Sequence, residues 1–569
     1  MLAGTGVETF AQVSTDPDST ISVTGLQDGD KASYFQIIKY NTSTGAWELD
    51  DTLAKAAVQR NEKGETDAGG TTASTLTVDD LVNGINNYEA GIIAKAYQAV
   101  DPVSTQTAAN GEVEVPITSE DMAGTYYFRI TPNNASYIYN PVFVSSDFYS
   151  GGNSLAVGSG TLYESSTVAK KQEVTLDKTA GDTTNWHRDV EIGEVVDFHV
   201  NTIVPAYTDG YTKKQFILTD ELSDGLELNY DPASIHDSIK VYATETVNGV
   251  KKERQLDDHE AEVNVTDRGY TMTLSPTYLN TRKNLSTPLR IEYSATVTSS
   301  AEYNVNEMEN TAKLTYTNNP SGTTSEETDQ THHYTFTIGG KVLGQTTTNQ
   351  TTHELVKIDT DKNGNPVWDY DPTKTVTTSE TTKMSPLAGA KFQLFDENKV
   401  AVERDGDPVT CETTVTGDDN TDGLITFSGL GSGTYYIKET MAPTGYVLQN
   451  DYIKVDINPV YDSENTTIQD NDPDDYILLS YEVVVSVPDG KGNYTTLGTS
   501  TYTVNHGTTV TETTSTVDDI SQTSGIKNVE GSNLPTTGGI GTTIFYVAGG
   551  VLIVIACVLL VRRRKNRQA

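Results

Sequence analysis

The sequence predicts an all-β chain of tandem immunoglobulin-like β-sandwich domains, the N-terminal one with helical insertions. Three observations lead there. Runs such as EVEVPI, EVVDFHVNTIVP and ILLSYEVVVSV alternate apolar and polar residues with the period of two that a half-buried strand requires. Clusters of Gly, Asn, Asp and Ser punctuate them as turns. No heptad run, solenoid period or dominant helix appears, which disfavours the α/β architectures common among enzymes.

In chain order, TISVTGL, SYFQIIKY, EVEVPI, TYYFRIT and YIYNPVFVS are the strands of a first domain, residues 1–165. Within it, DTLAKAAVQR and DDLVNGINNYEAGIIAKAYQAV carry helical spacing and are expected as the insertions. SGGNSLAVGSG reads as a loop near its end. A second domain, residues 166–343, contains EVTLDKT, EVVDFHVNTIVP, QFILTDEL, YTMTLSP, LRIEYSATVTS, NTAKLTYTN and HYTFTI. About seven strands with short turns suggest an immunoglobulin-like sandwich. GQTTTNQTTH, residues 344–353, is polar and low in complexity, as a linker is. The third domain, residues 354–532, holds HELVKIDTD, PLAGAKFQLFDE, DGLITFSGL, GTYYIKETMAPTGYVL and ILLSYEVVVSV, with SGIKNVEGS as its last strand. Residues 533–569 form a separate terminal module.

The length of 569 residues accommodates about three or four domains. The net charge of −40, from 79 acidic against 39 basic residues, repels polyanions and argues against a nucleic-acid partner. Charged residues are 21% of the chain and are interleaved with Thr, Ser, Gly and Tyr, a solvated β surface rather than disorder. Of the two cysteines, Cys557 lies in an apolar run near the C-terminus, so Cys411 has no disulfide partner in the rest of the chain. A long chain without disulfides leaves room for another kind of cross-link. MLAGTGVETFAQ lacks the basic and apolar regions of a secretory signal, and a start upstream of Met1 is expected.

Ile544 to Val561 is a run of 18 residues without charge, which at about 1.5 Å per helical residue just crosses a bilayer core of roughly 30 Å. Arg562, Arg563, Arg564, Lys565 and Arg567 follow, orienting that end to the cytoplasm. A plain membrane anchor would account for this much. Directly upstream, however, stands Leu534-Pro535-Thr536-Thr537-Gly538, and the three parts together resemble the LPxTG sorting signal of Gram-positive surface proteins. The resemblance implies that a sortase cysteine attacks the Thr537 carbonyl, that Gly538 onward is discarded, and that the product is joined to cell-wall peptidoglycan. Pro535 fixes φ and presents an extended segment for the enzyme to read.

PLAGAKFQLFD and DGLITFSGLGSGTYYIKETMAPTGY resemble the collagen-adhesin B-type domain of Gram-positive pilins and adhesins, with Glu439 at the acid position of the signature strand. The resemblance implies an intramolecular isopeptide bond between Lys357, in LVKID, and Asn528, in IKN. Burial supplies the chemistry. A desolvated lysine is held as the neutral, nucleophilic amine, and a desolvated carboxyl is raised in pKa until it can polarise the carboxamide and relay a proton as ammonia leaves. The second domain resembles the collagen-adhesin A-like middle domain of pilus shaft subunits, which implies the same bond between Lys178 and Asn310 with Asp220 as the acid and Glu221 as its alternative. Val168-Ala169-Lys170-Lys171 corresponds to the shaft-subunit motif ending in VYPK, although its Tyr and Pro are missing. Lys171 occupies the motif position and Lys170 adjoins it; by resemblance this amine would be joined to Thr537 of another subunit.

DTDKNGNPVWDYD opens like a calcium loop at Asp359, Asp361, Asn363 and Gly364, but Tyr370 replaces the bidentate Glu, and Lys-Asn-Gly-Asn makes a good hairpin turn. No His or Cys spacing suggests a metal, and no GxSxG elbow or phosphate loop is present. The resemblance thus implies a structural pilus shaft subunit on the cell surface, neither enzyme nor cofactor-dependent. Its partners would be sortase, other copies of itself, tip and basal pilus subunits, and peptidoglycan. The alternative is a monomeric wall-anchored adhesin. An anchored carbohydrate-active enzyme lacks a paired-carboxylate site.

Overall fold

A computed structural model describes residues 19–338, 355–360, 387–416, 423–461, 478–503, 525–528 and 553, apart from internal stretches at 42, 82–83, 135, 147, 151–152, 156–164, 182–186, 209–210, 212, 248, 283–284, 302–307 and 320–321. The chain divides into two compact units: Met1–Arg188, Gly193–Ala301 and Glu307–Tyr334 form the first, and Asp189–Ile192, Glu302–Asn306 and Thr335–Ala569 the second. The fold is predominantly β throughout, as the sequence predicts.

The first part of unit one has a three-stranded sheet, Ser166–Val168, Ser19–Thr24 and Glu112–Ile117, and a five-stranded sheet around Lys31–Asn41. Period-two alternation is plain in Glu112–Ile117, where Val113, Val115 and Ile117 face inward. Lys31–Asn41 is buried over most of its length because both of its faces are covered. One core holds Ile21, Val23, Val115, Tyr126 and Phe128; the other holds Ile37, Leu53, Leu81, Ile93 and Tyr127. Helix Asn87–Ala96 contributes to the second core and starts at Asn86, whose side chain caps Glu89 N–H while the Glu89 carboxylate returns to Asn86 N–H. The helix expected over residues 51–60 does not form. Only a 3-10 turn, Leu53–Lys55, precedes strand Ala57–Arg60, because Val58 is drawn into the core and the strand pairs with Thr72–Thr75. Tertiary pairing overrides local helical spacing here.

The second part of unit one is a sandwich of two six-stranded sheets. One runs Leu176–Ala180, Val195–Val204, Thr287–Val297, Lys240–Val247 and Val250–Gln255, with Leu226–Leu228 also paired to Thr287–Val297. The other runs His187–Asp189, Thr324–Tyr334, Met308–Thr317, Phe216–Leu222, Gly269–Leu274 and Ala261–Thr266. Alternate residues of Thr287–Val297 point inward as Leu289, Ile291, Tyr293, Ala295 and Val297.

Unit two has a six-stranded sheet ordered Thr410–Glu412, Lys391–Phe395, Gly433–Met441, Tyr452–Tyr461, Leu478–Pro488 and Tyr494–Thr503. Val356–Ile358 and Gly525–Lys527 pair in parallel, bringing together segments far apart in the chain. Phe336–Ile338, from HYTFTI, pairs with Phe427–Leu430 and so packs in unit two rather than with the preceding sandwich. Among the described residues no helix is long and apolar enough to cross a membrane; residues 544–561, apart from Ile553, lie outside them.

Candidate functional site

Lys178, Asp220 and Asn310 meet inside the sandwich of unit one. Lys178 comes from one sheet, opposite Val200, while Asp220 and Asn310 lie on neighbouring strands of the other. Leu222 pairs with Asn310 and Asp220 with Ala312, so Asp220 and Asn310 share the inward face. Gly269 makes room for this strand, since a Cβ there would stand 2.0 Å from the Asp220 carbonyl oxygen. The Lys178 and Asp220 side chains are fully shielded from solvent and form an ion pair through Nζ and Oδ2. Burial pulls the Lys178 pKa down and pushes that of Asp220 up, in both cases against their mutual attraction. Both shifts favour the neutral amine and the neutral acid. Tyr293 completes the group. Its hydroxyl accepts from Lys178 Nζ at 2.6 Å and from Asn310 Nδ2 at 2.9 Å, and donates to Asp220 Oδ1 at 2.7 Å. The Tyr293 ring stacks on Phe198, with centroids 5.2 Å apart, and Lys178 Nζ lies over both rings.

A second cluster lies in unit two. Lys357 sits on Val356–Ile358 beside Ile526, and Asn528 follows directly after the Gly525–Lys527 strand. Lys357 Nζ donates to Asn528 Oδ1 at 2.5 Å and stands 3.1 Å from Glu439 Oε1. Asn528 Nδ2 donates to both Glu439 oxygens, at 3.0 and 3.1 Å, and Gln449 N–H holds Oε2 at 2.8 Å. All three residues are buried, and burial lowers the Lys357 pKa. The Thr360 hydroxyl donates to the Asn528 carbonyl, tying the two chain segments together beside the cluster. One carboxyl therefore touches both the amine and the carboxamide nitrogen.

The remaining expected residues are placed as follows. Glu221, the alternative acid, is exposed, and only Asp220 faces Lys178. Lys170 and Lys171 are both exposed; Lys171 pairs with Tyr139, and its Nζ lies 4.7 Å from the Tyr137 ring centre. Leu534, Pro535, Thr536, Thr537 and Gly538, and residues 361–371 of the calcium-like segment, lie outside the described residues. Asp359 accepts the Tyr446 hydroxyl at 2.5 Å. The half-buried Cys411 receives Thr426 N–H on Sγ at 3.3 Å, and burial pushes its thiol pKa up.

Two residues of the first cluster went unread in the sequence. Tyr293 lies in LRIEYSATVTS at an inward-facing position, and a tyrosine there demands a partner for its hydroxyl, which was the available signal. Asp329 accepts Lys178 N–H at 2.6 Å and sits in a polar stretch, TSEETDQTHH, where nothing distinguishes it from its neighbours.

Comparison with known proteins gives two family matches, a prealbumin-like fold domain over residues 373–473 and an LPXTG cell wall anchor motif over residues 526–566. The chain is 22% identical to the trypsin-resistant surface T6 protein of Streptococcus pyogenes serotype M6, over 99% of this chain and 98% of that protein. The solved T6 backbone pilin of that bacterium, described as a modular three-domain structure decorated with variable loops and extensions, matches with a TM-score of 0.52 at 18% identity, covering 90% of this chain and all of that one. The major pilin SpaD of Corynebacterium diphtheriae is also similar, at 16% identity and a TM-score of 0.42, covering 77% of this chain and 90% of that one.

Proposed function

We propose that this chain is the shaft subunit of a sortase-assembled Gram-positive pilus, a structural protein held at the cell surface and stiffened by two intramolecular isopeptide bonds. The anchor-motif match, the similarity to the T6 surface protein along nearly the whole chain, and the fold shared with the T6 backbone pilin support the assignment. One observation carries the cross-linking: in each unit a solvent-shielded lysine and a solvent-shielded asparagine converge on one buried carboxyl cluster. Three such groups would be very costly to bury unless they paired or reacted.

The contacts of the second cluster support the following course for the reaction. The Lys357 amine adds to Asn528 Cγ, and the carbonyl electron pair moves to Oδ1. Glu439 takes a proton from Nζ and delivers one to Nδ2; the Cγ–Nδ2 bond then breaks, the carbonyl re-forms, and ammonia departs. Glu439 Oε1 is within 3.1 Å of Nζ and 3.0 Å of Nδ2, so one carboxyl can serve both ends of the transfer. Asp220 takes the acid's place beside Lys178, with the Tyr293 hydroxyl between it and Asn310. Between subunits, the exposed Lys171, or its neighbour Lys170, would attack the sortase-bound acyl group of another subunit's Thr537.

Surface material boiled in SDS tests the assembly. A ladder of high-mass species is expected in the parent strain, collapsing to monomer when Lys171 and Lys170 are both replaced by Ala. A single monomer band from the parent strain would favour the wall-anchored adhesin. The internal bonds are tested separately by intact mass, where two closures remove two ammonias, about 34 Da.

A further inference from the structure

The two clusters differ in how the acid reaches the amide. In unit two the Glu439 carboxyl contacts both Lys357 Nζ and Asn528 Nδ2. In unit one the acid is an aspartate, one methylene shorter. Its Oδ2 is on Lys178, and its Oδ1 is on the Tyr293 hydroxyl rather than on Asn310. That hydroxyl, in turn, is the group that holds Asn310 Nδ2, at 2.9 Å. From this geometry we infer that Tyr293 is a catalytic residue of the Lys178–Asn310 reaction, relaying the proton from Asp220 to the departing nitrogen. The inference rests on the isopeptide reading of this cluster.

The step balances without any added reagent. The neutral Lys178 amine attacks Asn310 Cγ and the carbonyl pair moves to Oδ1, leaving Nζ with one proton too many. That proton passes to Asp220 Oδ2, while the acid proton on Oδ1 passes to the Tyr293 oxygen and the tyrosine's own proton passes to Nδ2. The C–N bond breaks with its electrons on Nδ2, ammonia leaves, and Asp220 and Tyr293 end as they began. An amide nitrogen only donates hydrogen bonds, because its lone pair is delocalised. As Cγ becomes tetrahedral that lone pair returns, and both hydrogen bonds of the relay run opposite to their resting direction: the protonated Asp220 Oδ1 donates to the Tyr293 oxygen, and the Tyr293 hydroxyl donates to Nδ2. Tyr293 need never ionise in such a relay, which suits a hydroxyl whose burial, next to Asp220, holds its pKa well above the ordinary tyrosine value. The stacking of its ring on Phe198 fixes the hydroxyl in place.

Full-length chains made by cell-free translation, sampled over time, digested and analysed by mass spectrometry, report each cross-linked peptide pair separately. With Tyr293→Phe, which keeps the ring, the Lys178–Asn310 bond is expected to form about 100-fold more slowly while Lys357–Asn528 forms at the wild-type rate. Adding Asp220→Glu to that variant lengthens the acid to match Glu439, and is expected to recover at least 10-fold of the lost rate. A Phe variant that closes the first bond at the wild-type rate would overturn the relay alone; a wild-type chain that never closes it would overturn the isopeptide reading as well. Should Tyr293→Phe fail to fold by limited proteolysis, 3-fluorotyrosine at position 293 supplies the second measurement. A more acidic hydroxyl on a near-isosteric ring is expected to change the rate at least 3-fold, and an unchanged rate and pH profile would overturn the inference.

Discussion

The Asp329 carboxyl accepts the backbone N–H of Lys178 at 2.6 Å and that of Gln330 at 2.9 Å, and burial pushes its pKa up to about 6. Between about pH 4 and pH 6 the folded chain therefore keeps a proton that the unfolded chain has already released. Stability must fall as pH rises through that window, by about 3 kcal/mol, and be level with respect to this group outside it. Asp329→Asn keeps an acceptor oxygen for Lys178 N–H and removes the titration. Urea unfolding of unit one at pH 4, 5, 6 and 7 should show the fall in the wild-type chain and a shallower dependence in the variant; equal slopes would refute it. At this scale the sequence was readable only in part. Lys178, Asp220 and Asn310 could be named because a resemblance supplied their positions. Tyr293 and Asp329 act through contacts between strands distant in the chain, and no local pattern encodes such contacts.

Among the elements, the Val356–Ile358 and Gly525–Lys527 pair would depend most on the proposed Lys357–Asn528 bond. Three residues on each side, in parallel, form a marginal pairing that closes a span of 171 residues between Lys357 and Asn528. On the loop-entropy model a cross-link of that span contributes about 5 kcal/mol. On the proposed mechanism Glu439→Ala would leave Lys357 and Asn528 unreacted, and should lower the unfolding temperature of unit two by roughly 10–20 °C and expose the terminal strand to trypsin at Lys527. An unchanged melt with a wild-type digestion pattern would show that the bond contributes nothing here. These strands were legible because LVKID and SGIKN carry short apolar runs between turn signals. Residues 51–60 misled because Ala, Leu, Lys and Gln favour a helix locally, while the pairing of Ala57–Arg60 with Thr72–Thr75 is a decision made elsewhere in the fold. Phe336–Ile338 could not be assigned to a unit from its own residues either, since an alternating strand does not declare which sheet it will join.

On the scale of the whole molecule, the proposed bonds would set the path of tension through the order of their residues along the chain. Force in a polymer would enter at Lys171 or Lys170, reach Lys178, cross to Asn310 through the first bond, run along the backbone to Lys357, cross to Asn528, and leave at Thr537. The loops that the two proposed bonds would close, about 130 and 171 residues, would then carry no load along the backbone. The segment between Asn310 and Lys357 would, and its strands Thr324–Tyr334 and Phe336–Ile338 are held by hydrogen bonds, packing and the Lys313–Glu326 ion pair. Pulling single subunits between the linkage lysine and the C-terminal end should therefore extend the wild-type chain by no more than about 16 nm from that segment, at roughly 3.4 Å per residue. Glu439→Ala should add a rupture step of roughly 58 nm, and replacing Asp220 by Ala a separate one of roughly 45 nm. If the wild-type chain itself shows either long step, the corresponding loop bears load and its bond is absent. If only the short extension is seen, the linker side of the second sandwich is where a pilus built from this subunit yields first, and substitutions that strengthen the Thr324–Tyr334 strand should raise the force of that event without altering its length.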